Sequence, residues 1–507
     1  MAAKGAESTC KAVSSPKEGT SAPDTEPPYH ILSKKQKWNL VIFVSLAGAF
    51  SPPSSNIYFP ALDTISKDLG VSASLTSLTI TVYMIVQGIA PSLFGALSDS
   101  SGRRLTFTVS LTIYTAANLA LAFTSNYAML TALRGLQAAG AGVIADIACP
   151  QERGGFMGTN AGIRMLGQGV GPVIGGLLND AWGFRSIFWL LFVMSIIVLG
   201  VLLVFLPETQ RSRAGNGSIP LSGFHKPLAY TFKPPIAWTQ NPGTASVPKP
   251  HTPMNLKKAF SPLAYIFEKD IAALLAWGAI AYTAWSMVTS STTSMLLLGF
   301  PDLAQWQIGV CFLPNGIGCM AGSLSTGWLL NQGFRSAEAK FRTKHGIAAN
   351  EPIVPGTHGE DFPYIQARLR LMPLFSIVLV VSLALYGPSF EFNDLNRSFG
   401  PNLAAPLILQ FLIAFTATSI FNINSTVLID CFPDRPASAT ALNNLCRCLL
   451  GAAGVAAIEP LIGAVRAMRA FLIVTGIVVF FTPLIWVEWR FGKKWRKKRE
   501  KRLAQQS

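Results

Sequence analysis

The ten residues GALSDSSGRR, at positions 95–104, join two apolar blocks and indicate the fold class. The flanking blocks are 74–97 and 105–124. A helix needs about 20 apolar residues to cross a hydrocarbon core about 30 Å thick, and each block is that long. The glycines permit a tight turn, and the two arginines stay on the wet side. The stretch is therefore typical of a short junction between two membrane-spanning helices.

Ten further apolar blocks of similar length occur along the chain. In chain order the blocks define spans 1 to 12, which are 38–59, 74–97, 105–124, 127–147, 156–179, 184–206, 270–293, 304–330, 368–388, 402–429, 440–463 and 468–488. Only 13% of the residues are charged, whereas soluble domains carry about a quarter. The sequence thus predicts an all-α integral membrane protein with twelve transmembrane helices.

The basic residues lie mainly on one side of the predicted membrane. The formal net charge is +16, with 41 Lys and Arg. About 33 of them share a side with the N-terminus, which is the bias of cytosolic segments. The opposite loops contain Lys67, Arg185, Arg397, Arg466 and Arg469. We therefore expect both termini to be cytosolic, and we expect no nucleic-acid partner.

Both ends of the chain are polar. Residues 1–37 contain six lysines and no long apolar run, which predicts a disordered cytosolic N-terminus without a cleavable signal peptide. Residues 489–507 form a basic cytosolic tail directly after span 12. Anionic lipids of the inner leaflet attract such tails at about 1 kcal/mol per basic residue, so these lipids are the expected partner of the tail.

A polar stretch at 207–269 divides the spans into six and six. It is rich in Pro, Gly and Lys, which predicts a cytosolic linker between an N-terminal bundle at 38–206 and a C-terminal bundle at 270–488. Residues 331–367 are expected to be an inserted cytosolic loop. The spacing of Gly95, Asp99 and Arg103 after span 2 recurs as Gly327, Asn331 and Arg335 after span 8. Parallel repeats of this kind predict two pseudo-symmetric six-helix bundles with a binding site between them.

The junction after span 2 is also a candidate conformational latch. Its candidate residues are Gly95, Asp99, Gly102, Arg103 and Arg104. An acid at a cytosolic helix end can pair with an arginine or a neighbouring helix terminus, and such a contact can hold one conformation and release it when two halves rock. The alternative is that the arginines only keep the loop inside. Asp99 favours the conformational role, because an acid adds nothing to topology.

Span 5 carries glycines at intervals of four residues. The motif consists of Gly167, Gly171, Pro172, Gly175 and Gly176. Small residues at this spacing let two helices approach closely. We expect this helix face to pack against a neighbour and also to bend.

Three arginines lie inside predicted spans. An ionisable group inside the membrane costs roughly 2.5–3.5 kcal/mol on insertion scales, so it is expected to face a cavity or a partner. Arg134 in span 4 is the leading candidate for proton or substrate coupling. Arg164 in span 5 lies nearer the cytosolic end, where snorkelling is an alternative. Arg447 in span 11 shares a helical face with Asn443, four residues earlier.

Other polar residues deep in the spans are candidates for the substrate or proton pathway. They are Asn56, Tyr83, Gln87, Gln137, Asn315, Asn422 and Asn444. The spans contain no histidine, no paired acids and no metal-ligand spacing, so we expect neither a metal site, a cofactor nor an enzymatic activity. Asn396 is the one sequon in a predicted outer loop, and it is the candidate glycosylation site.

Several stretches resemble fungal drug:proton antiporters of the twelve-span class in the major facilitator superfamily, in particular the quinidine-resistance branch. They are 51–62, 95–104, 133–140, 167–176, 206–209, 215–220 and 441–447. The resemblance extends over residues 38–492 and implies the major facilitator fold, an antiporter motif in span 5, and a proton gradient as the energy source. One departure is that span 4 is about eight residues shorter than span 10, which removes roughly two helical turns.

The resemblance implies proton-coupled efflux of small organic molecules, such as drugs, toxins or secondary metabolites, by alternating access in a monomer. The expected location is the plasma membrane, with the vacuole or another endomembrane as alternatives. Two other interpretations stay open. The three intramembrane arginines suit an importer or uniporter of a nutrient or organic anion. The short span 4 suits a transport-dead membrane sensor or scaffold.

Overall fold

The structure, a computed structural model, describes residues 51–147, 155–208, 225–232, 261–346, 364–391, 399–432 and 436–506. Within these ranges the chain is helical and no strand occurs. Nine of the described helices are long and apolar enough to cross a membrane. This agrees with the all-α membrane architecture predicted from the apolar blocks.

The N-terminal spans are helices, most of which are joined by short connections. Span 1 ends in helix Ser51–Asn56, and a 3-10 turn at Phe59–Ala61 and helix Leu62–Leu69 follow it. Spans 2 to 6 are the helices Ala73–Ser101, Arg103–Ala122, Tyr127–Ile147, Gly155–Trp182 and Arg185–Phe205. The N-cap hydroxyl of Ser72 accepts a hydrogen bond from the backbone N–H of Leu75 at 3.3 Å and so begins span 2.

The C-terminal spans follow the same plan with longer helices. Spans 7 to 12 are Lys269–Gly299, Gln305–Val310 with Leu313–His345, Met372–Tyr386 with Pro388–Glu391, Phe399–Cys431, Pro436–Val465 and Ala467–Phe481. A further helix, Pro483–Gln506, carries the basic tail. Short helical segments at Ala229–Phe232, Ser261–Phe267 and Tyr364–Leu369 lie in the polar stretches.

The helix of span 8 extends past its predicted boundary at 330. It ends at His345, where Gly346 adopts the left-handed conformation with φ 66°. Residues 331–345 are rich in Ala, Lys, Glu and Arg, which favour helix, and Arg342 pairs with Glu338 one turn earlier at 2.8 Å. The first part of the expected inserted loop is therefore a continuation of the spanning helix.

The outward faces of several spans are apolar. Exposed side chains include Val193 and Ile197 on span 6 and Ile473, Ile477 and Phe480 on span 12. In water such a surface would be unfavourable, whereas lipid tails solvate it without cost. The exposed apolar faces therefore point to lipid, and polar side chains such as Arg134 and Asn315 are buried inside.

Glycines bring the two halves into contact along two helix pairs. A Cβ added to Gly88 of span 2 would lie 2.9 Å from Cβ of Cys448 in span 11. Likewise, a Cβ on Gly176 of span 5 would lie 2.9 Å from Cα of Gly309 in span 8. Small residues are needed at these positions because the helix backbones approach closely. The space between these two contact lines is where a site shared by both halves would lie.

Candidate functional site

Arg134 of span 4 is the central feature of the N-terminal half. It is fully buried, and its Cζ atom lies 4.3 Å and 4.4 Å from the ring centroids of Tyr58 and Tyr83. Its Nη1 donates to Oε1 of Gln137 at 2.6 Å and to the carbonyl oxygen of Ser54 at 3.4 Å. The charge is thus held by two aromatic faces and two neutral acceptors.

A chain of hydrogen bonds fixes the orientation of Gln137. Its Nε2 donates to Oδ1 of Asn118 at 2.7 Å, and Nδ2 of Asn118 donates to the carbonyl oxygen of Tyr114 at 2.8 Å. The hydroxyl of Tyr114 donates to Oγ of Ser54 at 3.0 Å. Because every member is buried and bonded, the network holds Arg134 in one geometry. Sequence reasoning missed Asn118 and Ser54, although a polar residue in an apolar span was the available signal.

The positive charge of Arg134 has no counter-ion in the described part of the chain. None of the ion pairs between described residues includes it. Its Nε and Nη2 atoms are buried and have no hydrogen-bond acceptor among the described residues. A buried charge without a partner is strongly unfavourable, and a guanidinium is suited to a bidentate bond with a carboxylate. Two donors of the buried guanidinium are therefore unbonded among the described residues, and a carboxylate is a group that could accept from both.

Arg447 of span 11 has a comparable environment in the C-terminal half. Its Nε and Nη2 donate to Oδ1 of Asn444 at 3.0 Å and 2.7 Å. Its Cζ lies 4.8 Å from the ring centroids of both Tyr282 and Phe421. Nδ2 of Asn444 in turn donates to the carbonyl oxygen of Gln87 at 3.2 Å, which crosses from one half to the other. Each half thus presents an arginine between two rings.

The remaining pathway candidates lie in both halves of the protein. Asn315 accepts from Nε1 of Trp285 at 2.8 Å, and Nδ2 of Asn443 donates to Oγ of Ser425 at 2.9 Å, both within the C-terminal half. Asn56 is buried at the end of span 1, and Asn422 is partly buried in span 10. The side chain of Arg164 and the whole of Asn396 lie outside the described residues, so both stay predictions.

The predicted latch contains an acid that sequence reasoning did not name. The carboxylate of Glu208, just after span 6, accepts from the backbone N–H groups of Arg103 at 3.0 Å and Arg104 at 3.2 Å. These are the first residues of the span 3 helix, where a negative charge stabilises the helix dipole. Gly102 has φ 102° and a Cβ there would overlap this carboxylate, so glycine is required. His225 lies 3.3 Å from the same carboxylate.

Arg104 makes a second contact between spans 3 and 6 in the predicted latch. Its guanidinium donates to the carbonyl oxygens of Leu203, at 2.9 Å, and Leu206, at the end of the span 6 helix. Spans 3 and 6 therefore cap each other, with an acid at one helix start and an arginine at the other helix end. Gly95 lies in the span 2 helix with open space around it. The side chain of Asp99 is outside the described residues, so its role stays a prediction.

The glycine motif of span 5 lies against spans 1 and 8. A Cβ on Gly171 would lie 3.2 Å from Cα of Pro53, and one on Gly175 would overlap the carbonyl oxygen of Ile57. Gly176 and the carbonyl oxygen of Pro172 face Gly309 of span 8. Gly167 is partly buried one turn earlier. The motif therefore holds together three helices from the two halves.

Polar contacts join the halves at the ends that are predicted to face outside. The hydroxyl of Thr293 donates to the carbonyl oxygen of Phe59 at 2.9 Å, and Nδ2 of Asn179 lies 3.4 Å from Oε1 of Gln305. The rings of Phe59 and Phe312 stack at 6.0 Å. These contacts hold the two halves together at the ends of the spans that are predicted to face outside.

Comparison with known proteins places this geometry in a family of transporters. Citrate exporter 1 of Aspergillus niger is 46% identical over 489 residues, which cover 94% of this chain and 90% of that protein. Quinidine resistance protein 1 of Saccharomyces cerevisiae is 31% identical over 494 residues, covering 92% and 85%.

A solved structure has the same fold at low identity. The crystal structure of the human organic anion transporter MFSD10 (TETRAN) aligns with a TM-score of 0.54 and 16% identity, covering 91% of this chain and 100% of that chain. A family model described as the Major Facilitator Superfamily matches residues 44–455. The chain belongs to the Major Facilitator Superfamily.

Proposed function

We propose that this transporter exports small organic acid anions from the cytosol in exchange for protons, by alternating access at the plasma membrane. One observation carries the proposal. The guanidinium of Arg134 is buried without a counter-ion among the described residues and keeps two nitrogens without an acceptor. A carboxylate of the substrate is the group that satisfies it, through charge-assisted bonds about twice as strong as neutral ones.

The relatives support this substrate class. The relative with 46% identity over nearly the whole chain is named a citrate exporter, while relatives named as a multidrug transporter and as a quinidine resistance protein are each 31% identical. Citrate carries three carboxyl groups, and the arginine of each half would accommodate one of them. Citrate is therefore the first substrate to test.

The contacts between the halves support the proposed cycle. The outer side is closed by the contacts at Thr293 and Gln305 and by the glycine line of span 5. In the proposed cycle, an anion reaches Arg134 from the cytosol while the outer side is closed. Rocking of the halves would then separate spans 5 and 8 at Gly176 and release the anion outside. The reciprocal caps at Arg104 and Glu208 keep spans 3 and 6 moving as one body.

Drug:proton antiport is the second candidate function. Tyr282 and Trp285 of span 7 lie 5.3 Å apart between centroids, and Nε1 of the buried Trp277 has no acceptor among the described residues. Such an aromatic surface suits a flat organic cation. In this case Arg134 would serve proton coupling and would not contact the substrate.

Efflux from cells separates the two candidates. The chain is expressed in a fungal host that lacks its own exporters, and efflux of labelled citrate and of a labelled cationic drug is measured with and without a protonophore. We expect citrate efflux that the protonophore abolishes and that Arg134→Gln removes. Arg185→Gln is the matched control, because Arg185 pairs with Asp68 on the exposed outer surface at 3.1 Å.

Each other outcome contradicts the proposal. Efflux of the drug but not of citrate supports the second candidate. Citrate efflux that survives Arg134→Gln contradicts the role of the arginine. If the protein reaches the cell surface but transports neither compound in either direction, the result supports the sensor or scaffold interpretation.

A further inference from the structure

A buried charge cluster joins the last helix of the chain to span 7. Glu488 and Arg499 belong to the C-terminal helix Pro483–Gln506, and Asp270 is in the first turn of span 7. All three residues are at most 4% exposed. Nη2 of Arg499 lies 3.2 Å from Oδ2 of Asp270. The basic tail is therefore docked on the protein through a buried ion pair.

The charges of this cluster do not balance. It contains two carboxylates and one guanidinium, and the charges of Asp270 and Arg499 both act on Glu488. Neither carboxylate oxygen of Glu488 has a hydrogen-bond partner among the described residues. A Cβ added to Gly492 would lie 2.5 Å from Oε1 of Glu488, so the side chain extends along the helix in the direction of Arg499. A buried net negative charge is strongly unfavourable.

Three neighbouring arginines contact groups outside the cluster. The charged and titratable groups around the cluster are Glu268, Lys269, Arg368, Asp430, Cys431, Arg496 and Arg502. Arg502 pairs with Glu268, and Arg368 pairs with Asp430 at 3.2 Å. Arg496 donates to the carbonyl oxygen of Asp430 at 3.4 Å. Cζ of Arg499 also lies 4.8 Å from the ring centroid of Phe432, so the helix contacts span 10 as well as span 7.

We propose that Asp270 and Glu488 bind one proton between them, and that this proton docks the C-terminal helix onto the cytosolic ends of spans 7 and 10. With the proton bound, the net charge of the two carboxyl groups and the arginine is zero. When the proton leaves, the cluster carries a buried negative charge and the helix is released. The docked helix is thus a sensor of cytosolic pH, whichever substrate the transporter carries.

The sign of the pH dependence follows from the proton balance. The docked state holds one proton more than the released state, so docking is favoured at low pH and weakens as the pH rises. While one proton is released, the docking equilibrium changes about tenfold per pH unit. Once released, a highly charged helix of this length is only marginally stable in water, so its amides exchange.

Amide hydrogen exchange of the full-length protein in nanodiscs tests the proposal. Peptides within 489–506 are followed between pH 5.5 and 8.5. Their exchange is expressed as a protection factor, because this ratio removes the intrinsic pH dependence of amide exchange. We expect protection to fall by about tenfold per pH unit over part of this range. Glu488→Gln should keep the helix protected throughout, because the amide is neutral. Glu459→Gln, the same change at a buried glutamate of span 11, should behave as the unmodified protein.

Two results would overturn the proposal. The first is protection that stays constant with pH in the unmodified protein, or an identical pH dependence in Glu488→Gln. The second is protection that exists only in nanodiscs of anionic lipid and not in those of neutral lipid, which would mean that lipid and not the acid pair holds the tail. Arg499→Ala provides a further check, since it should remove protection at every pH in both lipids.

Discussion

Arg134 is a full positive charge among neutral partners, and this determines what its site can bind. Gln137 and the backbone of Ser54 accept hydrogen bonds from it but do not neutralise it. Tyr58 and Tyr83 stabilise the charge from both faces, by an amount on the order of 2 kcal/mol for a desolvated pair. The edge of the guanidinium that carries Nε and Nη2 is still unbonded among the described residues. In the proposed function, the carboxylate of the substrate is the counter-ion.

A carboxylate placed beside Arg134 in the protein should compete with the substrate. In Gln137→Glu the new acid replaces an amide oxygen 2.6 Å from Nη1, so it pairs with the arginine directly. We expect the half-saturation concentration for citrate to rise at least about tenfold, which corresponds to about 1.4 kcal/mol. The measurement is citrate efflux at varied internal citrate, normalised to surface protein.

Gln307→Glu is the control for this change. Oε1 of Gln307 accepts from the backbone N–H of Ala304 at the start of span 8, and a glutamate keeps that acceptor. Citrate transport should be unchanged in the control. An unchanged half-saturation concentration in Gln137→Glu would mean that Arg134 does not contact the anion.

At the level of helices, glycines decide how closely the two halves approach. Span 5 contacts span 1 at Gly171 and Gly175 and span 8 at Gly176. A β-carbon at these positions would lie within or near the backbone of the neighbouring helix. The glycine periodicity is thus explained by contacts that only the folded arrangement shows.

Gly175→Ala should separate spans 1 and 5. The added methyl group overlaps the carbonyl oxygen of Ile57, which is backbone and cannot rotate away. Overpacking of this kind costs about 1–3 kcal/mol. We expect a lower unfolding temperature in detergent and reduced transport. Gly200→Ala on span 6 has open space around the new methyl group, so an equal effect there would exclude the steric explanation.

The cap formed by Glu208 should contribute measurably to stability. Glu208→Gln keeps the shape but removes the charge that faces the start of the span 3 helix, and we expect a loss of about 1–2 kcal/mol. Thermal unfolding of the purified protein measures it. Glu391→Gln is the matched control, because Glu391 caps an exposed helix start through the N–H of Met468 at 2.9 Å. Equal shifts in both variants would show that burial of the Glu208 cap has no effect.

At the level of the whole molecule, the lengths of the apolar blocks predicted where the helices lie, but they did not predict which residues of different helices contact each other. Span 4 was predicted at 127–147, and the helix is Tyr127–Ile147. Its 21 residues, against 33 in span 10, rise about 31 Å, which is enough for a hydrocarbon core of about 30 Å. The short span 4 therefore does not by itself prevent this helix from crossing.

The residues of the site could be predicted only in part. A charge inside an apolar span is visible in the sequence, so Arg134 and Arg447 could be selected as candidates from the sequence alone. Asn118 and Glu208 were missed because their roles depend on partners from other spans, 19 and 105 residues away. The docking of Arg499 was missed for the same reason, since a run of basic residues next to a membrane is also what lipid attraction produces.

Citrate binding to the purified protein tests whether Arg134 holds the transported anion. Thermal unfolding is followed in detergent with increasing citrate, for the unmodified protein, Arg134→Gln and Arg185→Gln. If Arg134 binds the anion, citrate stabilises the unmodified protein and Arg185→Gln by about 2.7 kcal/mol at a hundred times the dissociation constant, and it leaves Arg134→Gln unaffected. Equal stabilisation of Arg134→Gln, or stabilisation of the unmodified protein by a cationic drug and not by citrate, would contradict this prediction.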